Sequence, residues 1–263
     1  MIASAVFGYA LGQIPLLRSV LRWYARRYEE GSVVRIARGG ATGMKWRRHH
    51  RYVNGYWTGI YEIDLQRAIA SALTTGNVFY DVGANAGFFT VLAARLVGST
   101  GRVLSFEPFA ENAESIREQI DINSLKQCEL FVKAVSDRSG TATFTQGEHN
   151  SLGRLSGAGL APVGKGKGLT VQTVTLDEVA AGNPFPDLIK IDVEGAELQV
   201  LAGAHSLLGS PRPPKLIIEL HGKEKARSVE ATLVSFGYRL TDLTGTSLDG
   251  AEAHKHVIGY PPK

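Results

Sequence analysis

Val78-Phe79-Tyr80-Asp81-Val82-Gly83-Ala84-Asn85-Ala86-Gly87-Phe88-Phe89-Thr90 decides the fold of this chain, because an apolar run, an acid, two glycine bends and a new apolar period meet within thirteen residues. Val78 to Val82 is β-branched and aromatic, as a buried central strand demands, and Gly76-Asn77 in front of it is a turn signal. From there Phe88, Val91, Leu92 and Leu96 recur at helical spacing until Gly98-Ser99-Thr100-Gly101 ends the pattern. Strand, loop and helix are expected in that order. Gly83 and Gly87 allow positive φ or close approach of a ligand to the backbone, and Asn85 is one of the few other residues that tolerates the left-handed region. A loop of this kind at the carboxyl end of a parallel strand is where open α/β sheets bind ligands.

Asp81 narrows the ligand. A dinucleotide site shows Gly-x-Gly-x-x-Gly and sets a pyrophosphate on the helix N-terminus, whereas here the spacing is Gly-x-Asn-x-Gly with a carboxylate two residues before the first glycine. A carboxylate and a phosphate ~4 Å apart repel by about 4 kcal/mol at a surface-like dielectric, and a bound ammonium gains a similar amount. The loop therefore prefers a cationic cofactor without phosphate, and S-adenosylmethionine, with its sulfonium and amino-acid end, fits.

At 263 residues, with 44% hydrophobic and 21% charged residues, the chain is long enough for one large α/β domain. Its single cysteine, Cys128, excludes a disulfide framework or a Cys-rich zinc site and points to a reducing, cytoplasmic setting. The net charge of +4 is unevenly spread: residues 1–51 carry ten Lys or Arg against Glu29 and Glu30, and the remainder is net acidic. Residues 1–50 are expected to form a basic N-terminal arm and residues 51–263 a single domain. Residues 1–17 lack a basic leader and are broken by Gly8, Gly12 and Pro15, so neither a cleaved signal peptide nor a spanning helix is expected. Over 16–28, Leu17, Val20, Leu21 and Tyr24 share a face beside Arg18, Arg22 and Arg26. That pattern suits either a peripheral membrane contact at the inner face through residues 1–28 or an accessory helix with solvated arginines. Lys45-Trp46-Arg47-Arg48-His49-His50-Arg51 is either a phosphate-touching patch or a charged loop.

Beyond the opening unit the chain keeps a βα rhythm. A helix lies between Tyr56 and Leu73. The strand Arg102–Phe106 ends in Glu107, which stands twenty residues after Gly87, the distance at which nucleotide-binding α/β units place an acid on ribose hydroxyls. A helix with Ala113, Ile116 and Ile120 inward leads to a third strand over 130–135 closing in Ser136-Asp137, whose end faces the cofactor side of a doubly wound sheet. Segments 141–145 and 169–176 alternate as an antiparallel pair, and the glycine-rich stretch between them is a lid candidate, making an insertion at about 141–176. The fourth strand, Leu188-Ile189-Lys190-Ile191-Asp192-Val193-Glu194, delivers Lys190, Asp192 and Glu194 to one face by its period of two. The fifth, over 215–220, presents Glu219 and then His221, and 238–243 with 256–260 closes the sheet.

Taken together, the Gly83 loop, Glu107, Ser136-Asp137, Thr173-Val174-Thr175-Leu176-Asp177 and Lys190-Ile191-Asp192-Val193-Glu194-Gly195 closely resemble the FkbM family of S-adenosylmethionine-dependent methyltransferases over about residues 56–243. The resemblance implies a class I methyltransferase fold, an α/β Rossmann-like doubly wound sheet of seven strands, mostly parallel with one antiparallel strand. Carried over by position, Asp81, Gly83, Asn85 and Gly87 hold the methionyl end, Glu107 the ribose, and Asp137 with Ser136 the adenine region. It further implies O-methylation of a sugar or polyketide hydroxyl, on a small-molecule or glycoconjugate acceptor. Strand geometry makes Asp192, Glu219 and His221 the side chains placed to take the acceptor proton, with His221 or Asp192 favoured as base and Lys190 and Glu194 orienting it. Asp192, Glu194, Glu219 and His221 would also suit a divalent metal, though nothing in their spacing demands one. Two other readings stay open: an RNA 2'-O-methyltransferase, which the net acidic body disfavours since nucleic acid would meet it unfavourably, and a non-catalytic membrane-associated module built on the basic arm.

Overall fold

The computed structural model describes residues 28–52, 54–146, 153–156, 168–248 and 255–262. A hairpin of β1 (Val33–Arg35) and β2 (Lys45–Arg47) comes first, then a 3-10 turn at Tyr56–Thr58 and α1 (Ile63–Ala72). The stretch quoted above becomes β3 (Val78–Val82), the loop, and α2 (Phe88–Val97); β4 (Arg102–Phe106), α3 (Ala110–Asn123) and β5 (Cys128–Phe131) repeat the unit. Four short strands follow, β6 (Ala134–Val135), β7 (Gly140–Gln146), β8 (Gly153–Ser156) and β9 (Gly168–Val174), before α4 (Leu176–Gly182) returns the chain to the main sheet as β10 (Leu188–Ile191). Two short helices, α5 (Glu197–Ala202) and α6 (His205–Leu208), then β11 (Lys215–Glu219), α7 (Lys223–Ser235), β12 (Arg239–Thr241) and β13 (His256–Tyr260) complete it.

The main sheet has seven strands in the order β12-β13-β11-β10-β3-β4-β5, parallel except for β13, which runs antiparallel to both neighbours. This is the doubly wound, class I methyltransferase arrangement expected from the sequence. Because successive strands step outward from β3 in one direction and from β10 in the other, the order reverses between these two, and the crevice beyond their carboxyl ends is where such sheets take ligands. Side chains alternate across the sheet and both faces are covered. Tyr80, Leu104 and Ile189 pack with Val200, Leu207, Val229 and Leu233 of α5, α6 and α7, whereas Phe79, Val103 and Ile217 pack with Ile69 and Leu92 of α1 and α2.

Three expectations need correction. The third strand is not continuous over 130–135: β5 stops at Phe131, and Ala134–Val135 joins a separate four-stranded sheet, β6-β9-β7-β8, in which β7 and β9 form the expected antiparallel pair. Leu176 starts α4 rather than ending a strand, because Thr175 caps that helix by accepting from the Glu178 N–H. The described residues of the basic arm also lie on the domain. Ile36 and Trp46 are both 1% exposed, and Trp46 stacks its edge against Phe88 at 6.0 Å, within the same core cluster as α1 and α2. The side-chain amides of Gln119 and Asn123 on α3 donate to and accept from the backbones of Arg47 and Lys45, standing in for a neighbouring strand along β2. Several cations of the Lys45–Arg51 stretch are engaged internally: His49 lies between Glu30 and Glu118, Arg48 bonds Ser32 beneath the Tyr28 ring, and Arg51 bonds the Glu111 carbonyl. The patch is thus an intramolecular dock rather than a free phosphate-binding surface. The proposed amphipathic helix up to residue 27 and most of the glycine-rich lid candidate lie outside the described residues. Among the described residues no helix is long and apolar enough to cross a membrane.

Candidate active site

The loop after β3 is built as its glycines suggest. Gly83, Asn85 and Gly87 have φ of 79°, 50° and 88°, and the N–H groups of Gly83 and Ala84 both donate to the Phe106 carbonyl at 3.0 Å, fastening the loop to the end of β4. A Cβ on Gly83 would fall 1.9 Å from the Asp192 carbonyl oxygen, so the loop and the end of β10 touch through bare backbone. Glu107 is 4% exposed and accepts from the Asn85 N–H at 2.9 Å and the Phe109 N–H at 3.0 Å. Burial pushes its carboxyl up to about 7 against the lowering effect of those bonds. Beside it, the Asn85 side-chain oxygen is buried without a hydrogen-bond partner. A buried unpaired acceptor next to a carboxylate with spare lone pairs suits a ligand bearing amine and hydroxyl donors, so these residues fit S-adenosylmethionine.

Asp81 is arranged otherwise than the sequence suggests. It is fully buried, its Oδ2 accepts from Thr90 Oγ1 at 2.8 Å, and its Oδ1 lies 3.3 Å from Lys190 Nζ. Thr90 in turn shares a bond with Ser105 at 2.8 Å. The carboxylate is therefore matched from inside the protein, and whatever field it offers a cationic ligand is that of the Asp81–Lys190 pair. Neither Thr90 nor Ser105 carries a signal in the sequence. The contacts of Ser136 and Asp137 run to Val174, Gly203 and Arg138 rather than to the loop: Ser136 N–H bonds the Val174 carbonyl, Gly203 packs on the Ser136 carbonyl, and Arg138 lies 2.9 Å from Asp137. That neighbour holds the Asp137 carboxyl below its ordinary value. This is the cost of the third strand switching sheets.

On the other side of the crevice stand the residues expected to handle the acceptor. Lys190, 2% exposed, donates to the Gly83 carbonyl at 3.0 Å and lies 3.6 Å from Asp192 as well as against Asp81. Burial alone would lower its ammonium, but Asp81 and Asp192 outweigh it and raise it, so Lys190 stays a cation. Asp192 moves the other way, its carboxyl raised by burial despite Lys190. β10 ends at Ile191, so the period of two does not reach Glu194; that residue sits in a left-handed turn at φ 53° yet still comes within 3.3 Å of His221 Nε2. Glu219 lies 3.6 Å from the same nitrogen and 3.1 Å from Lys255 Nζ. Against its own burial, His256 and Lys255 bring the Glu219 carboxyl down to about 2.

His221 has a partner the sequence reading did not single out. Glu197, 1% exposed at the first turn of α5, lies 2.7 Å from His221 Nδ1 and also accepts from the Gly195 N–H at 2.8 Å. The Glu197 bond, ahead of the opposing effect of burial, raises the imidazole above its ordinary value. Glu62, the N-cap residue of α1, joins through Lys255 at 2.9 Å, and His256 lies 3.3 Å from Glu219. No local pattern flags Glu62, Glu197 or His256, because the groups that give them meaning lie far along the chain. Carboxylates from Glu62, Asp192, Glu194, Glu197 and Glu219 thus gather near Lys190, Lys255 and two histidines.

Known proteins resemble the chain across these elements. The family model described as the methyltransferase FkbM domain matches residues 81–240, from the buried acid of β3 to β12. The chain is 26% identical over 190 residues to the hexuronic acid methyltransferase AglP of Haloferax volcanii, covering 72% of this chain and 74% of that one. It is 30% identical to the 31-O-demethyl-FK506 methyltransferase FkbM of Streptomyces tacrolimicus, covering 70% of this chain and 80% of that one. Among solved structures, a SAM-dependent O-methyltransferase from Thermotoga maritima aligns with a TM-score of 0.47 at 12% identity, covering 94% of this chain and 82% of that one. With a family match running from Asp81 to Leu240 over a sheet of this topology, the chain belongs to the FkbM family and is an S-adenosylmethionine-dependent methyltransferase.

Proposed function

We propose that the protein is an O-methyltransferase that methylates a hydroxyl on a sugar of a glycolipid, oligosaccharide or glycosylated natural product. The observation that carries this reading is the placement of Asp192: its backbone carbonyl closes on Gly83 of the cofactor loop, while its carboxylate faces Lys190 in the crevice. When bound, S-adenosylmethionine supplies an electrophilic methyl on a sulfonium. An alcohol must lose its proton as it attacks, and Asp192, with a carboxyl raised by burial, is the group that receives it. Lys190 does not exchange protons; it holds Asp192 in place and fastens it to the loop through the Gly83 carbonyl. His221, fixed through Nδ1 by Glu197, turns Nε2 toward Glu194 and Glu219 and orients the acceptor.

Two features support the acceptor class. The relatives named above act, by their names, on a hexuronic acid and on 31-O-demethyl-FK506. The carboxylates around the crevice also oppose a phosphate backbone, which favours a sugar over RNA. Mass spectrometry of reactions between the purified protein, S-adenosylmethionine and fractionated cell glycans should show a gain of one methyl. Asp192→Asn should slow that step roughly 100- to 10,000-fold with cofactor affinity kept. Methylated RNA with no methylated glycan would overturn the proposal. Contact between residues 1–28 and anionic lipid belongs to the same proposal and is read by vesicle co-sedimentation.

A further inference from the structure

We propose that Glu62, Glu219 and His256 form a binding site for a divalent cation of the manganese type, beside the acceptor crevice. The three residues come from the N-cap of α1, the last position of β11 and the first position of β13. Glu219 and His256 face each other directly across the antiparallel β11–β13 pair, which fixes their separation by strand register. One ligand atom from each of the three residues lies within 4.8 Å of the other two.

A cluster of acids alone would mean little; the second observation is what its free atoms do. His256 is 9% exposed, and its Nε2 is buried without a hydrogen-bond partner, aimed at Glu219 Oε2 from 3.3 Å. The Glu62 Oε2 atom is likewise buried and unpartnered. Lys255 does not satisfy them, because its ammonium sits on the Oε1 atoms of Glu62 and Glu219, at 2.9 and 3.1 Å. The Glu62 carboxylate and the His256 imidazole therefore each keep a buried atom that no hydrogen bond within the protein meets, and leaving such atoms unpaired is costly. Hard oxygens suit magnesium and manganese, and an imidazole nitrogen shifts the preference from magnesium toward manganese. The neighbouring set of Asp192, Glu219 and His221 is as tight, but it lacks this feature: none of its side-chain atoms is buried without a hydrogen-bond partner, and Glu197 holds His221 Nδ1 at 2.7 Å.

The site shares Glu219 with the groups around His221, so an ion there would fix the position of that carboxylate without itself touching the cofactor loop. Binding of the ion does not depend on the identity of the acceptor. It is tested on the full chain with Mn²⁺ alone, by the loss of the free-ion paramagnetic resonance signal on titration. One ion should bind per chain, with nitrogen coupling from a single imidazole in pulsed spectra. Glu62→Gln and His256→Gln should each weaken binding at least about tenfold, and the second should remove the nitrogen coupling. Lys255→Met should act in the opposite sense and tighten binding, by roughly tenfold, since it removes a competing cation from the same carboxylates. No saturable binding at millimolar Mn²⁺ would overturn the proposal. So would binding that survives both Glu62→Gln and His256→Gln, or that Lys255→Met weakens.

Discussion

Replacing Lys190 by methionine probes the join between the two halves of the site. The substitution keeps most of the side-chain volume and removes a charge whose side chain is 3% exposed, leaving Asp81, which is fully buried, without its counter-ion. At 3.3 and 3.6 Å, Asp81 and Asp192 each attract the ammonium by about 5 kcal/mol at an effective dielectric of ~20. Desolvation of the lysine cancels part of this, and one-sided removal of a buried ion pair ordinarily costs about 3–5 kcal/mol. For a chain of this size that corresponds to a drop in melting temperature of roughly 10 °C. Urea and thermal unfolding of the wild type, Lys190→Met, Asp81→Asn and the double variant form the assay. The double variant should be more stable than Lys190→Met, because the Asp81→Asn amide removes the fully buried orphan charge, leaving only the partly exposed Asp192 unpaired, and can still accept from Thr90, and the two changes should couple by about 2 kcal/mol or more. A loss under about 1 kcal/mol in Lys190→Met, or strictly additive effects, would refute the reasoning.

Other consequences are read more simply. Gly83→Ala places a Cβ 1.9 Å from the Asp192 carbonyl at a φ of 79°, so it should cost roughly 3 kcal/mol and weaken cofactor binding in calorimetry, whereas Gly182→Ala, with nothing within 4 Å, should do neither. Glu107 has its carboxyl at about 7, and the ionised form accepts ribose hydroxyls better, so S-adenosylmethionine should bind roughly tenfold more weakly at pH 6 than at pH 8, with the dependence flattened in Glu107→Gln. The sign for stability is opposite: an acid raised on folding favours the protonated fold, so this group's contribution grows as pH falls from about 7 toward 4.5 and is lost on the way back. Trp46→Ala should destabilise the whole domain by about 3–5 kcal/mol in chemical unfolding, since that ring lies in the core; unfolding unchanged from wild type would mean that the β1–β2 hairpin is a detachable appendage.

What the sequence disclosed follows the range of the interactions involved. The β3 strand, its loop and α2 were legible because period, glycine placement and apolar spacing act within twenty residues. Glu107 was legible for a related reason, being set by the length of one βα unit. Lys190, Asp192, Glu219 and His221 announced themselves as charges at the ends of apolar strands, where burial without use is expensive. The pairing of Asp81 was not legible because its partner Lys190 comes from another strand more than a hundred residues on, and a carboxylate that looks open in one dimension is matched in three. Glu197 sits in an ordinary helix start and gains meaning from His221, on the far side of β11. The break at residues 132–133 was hidden because apolar residues on both sides suit a strand equally, and the partner that draws Ala134–Val135 away is β9, about forty residues later.

On the roles proposed for the Gly83 loop and Asp192, the contact between Gly83 and the Asp192 carbonyl couples donor and acceptor placement. Because main-chain atoms rather than side chains set that contact, the spacing between the loop after β3 and the end of β10 is a property of the sheet and is insensitive to most side-chain exchange. Recasting the protein for a different acceptor should therefore succeed at the outer edge, through Glu194 or Glu219, while the inner gauge between the two strand ends is inherited unchanged.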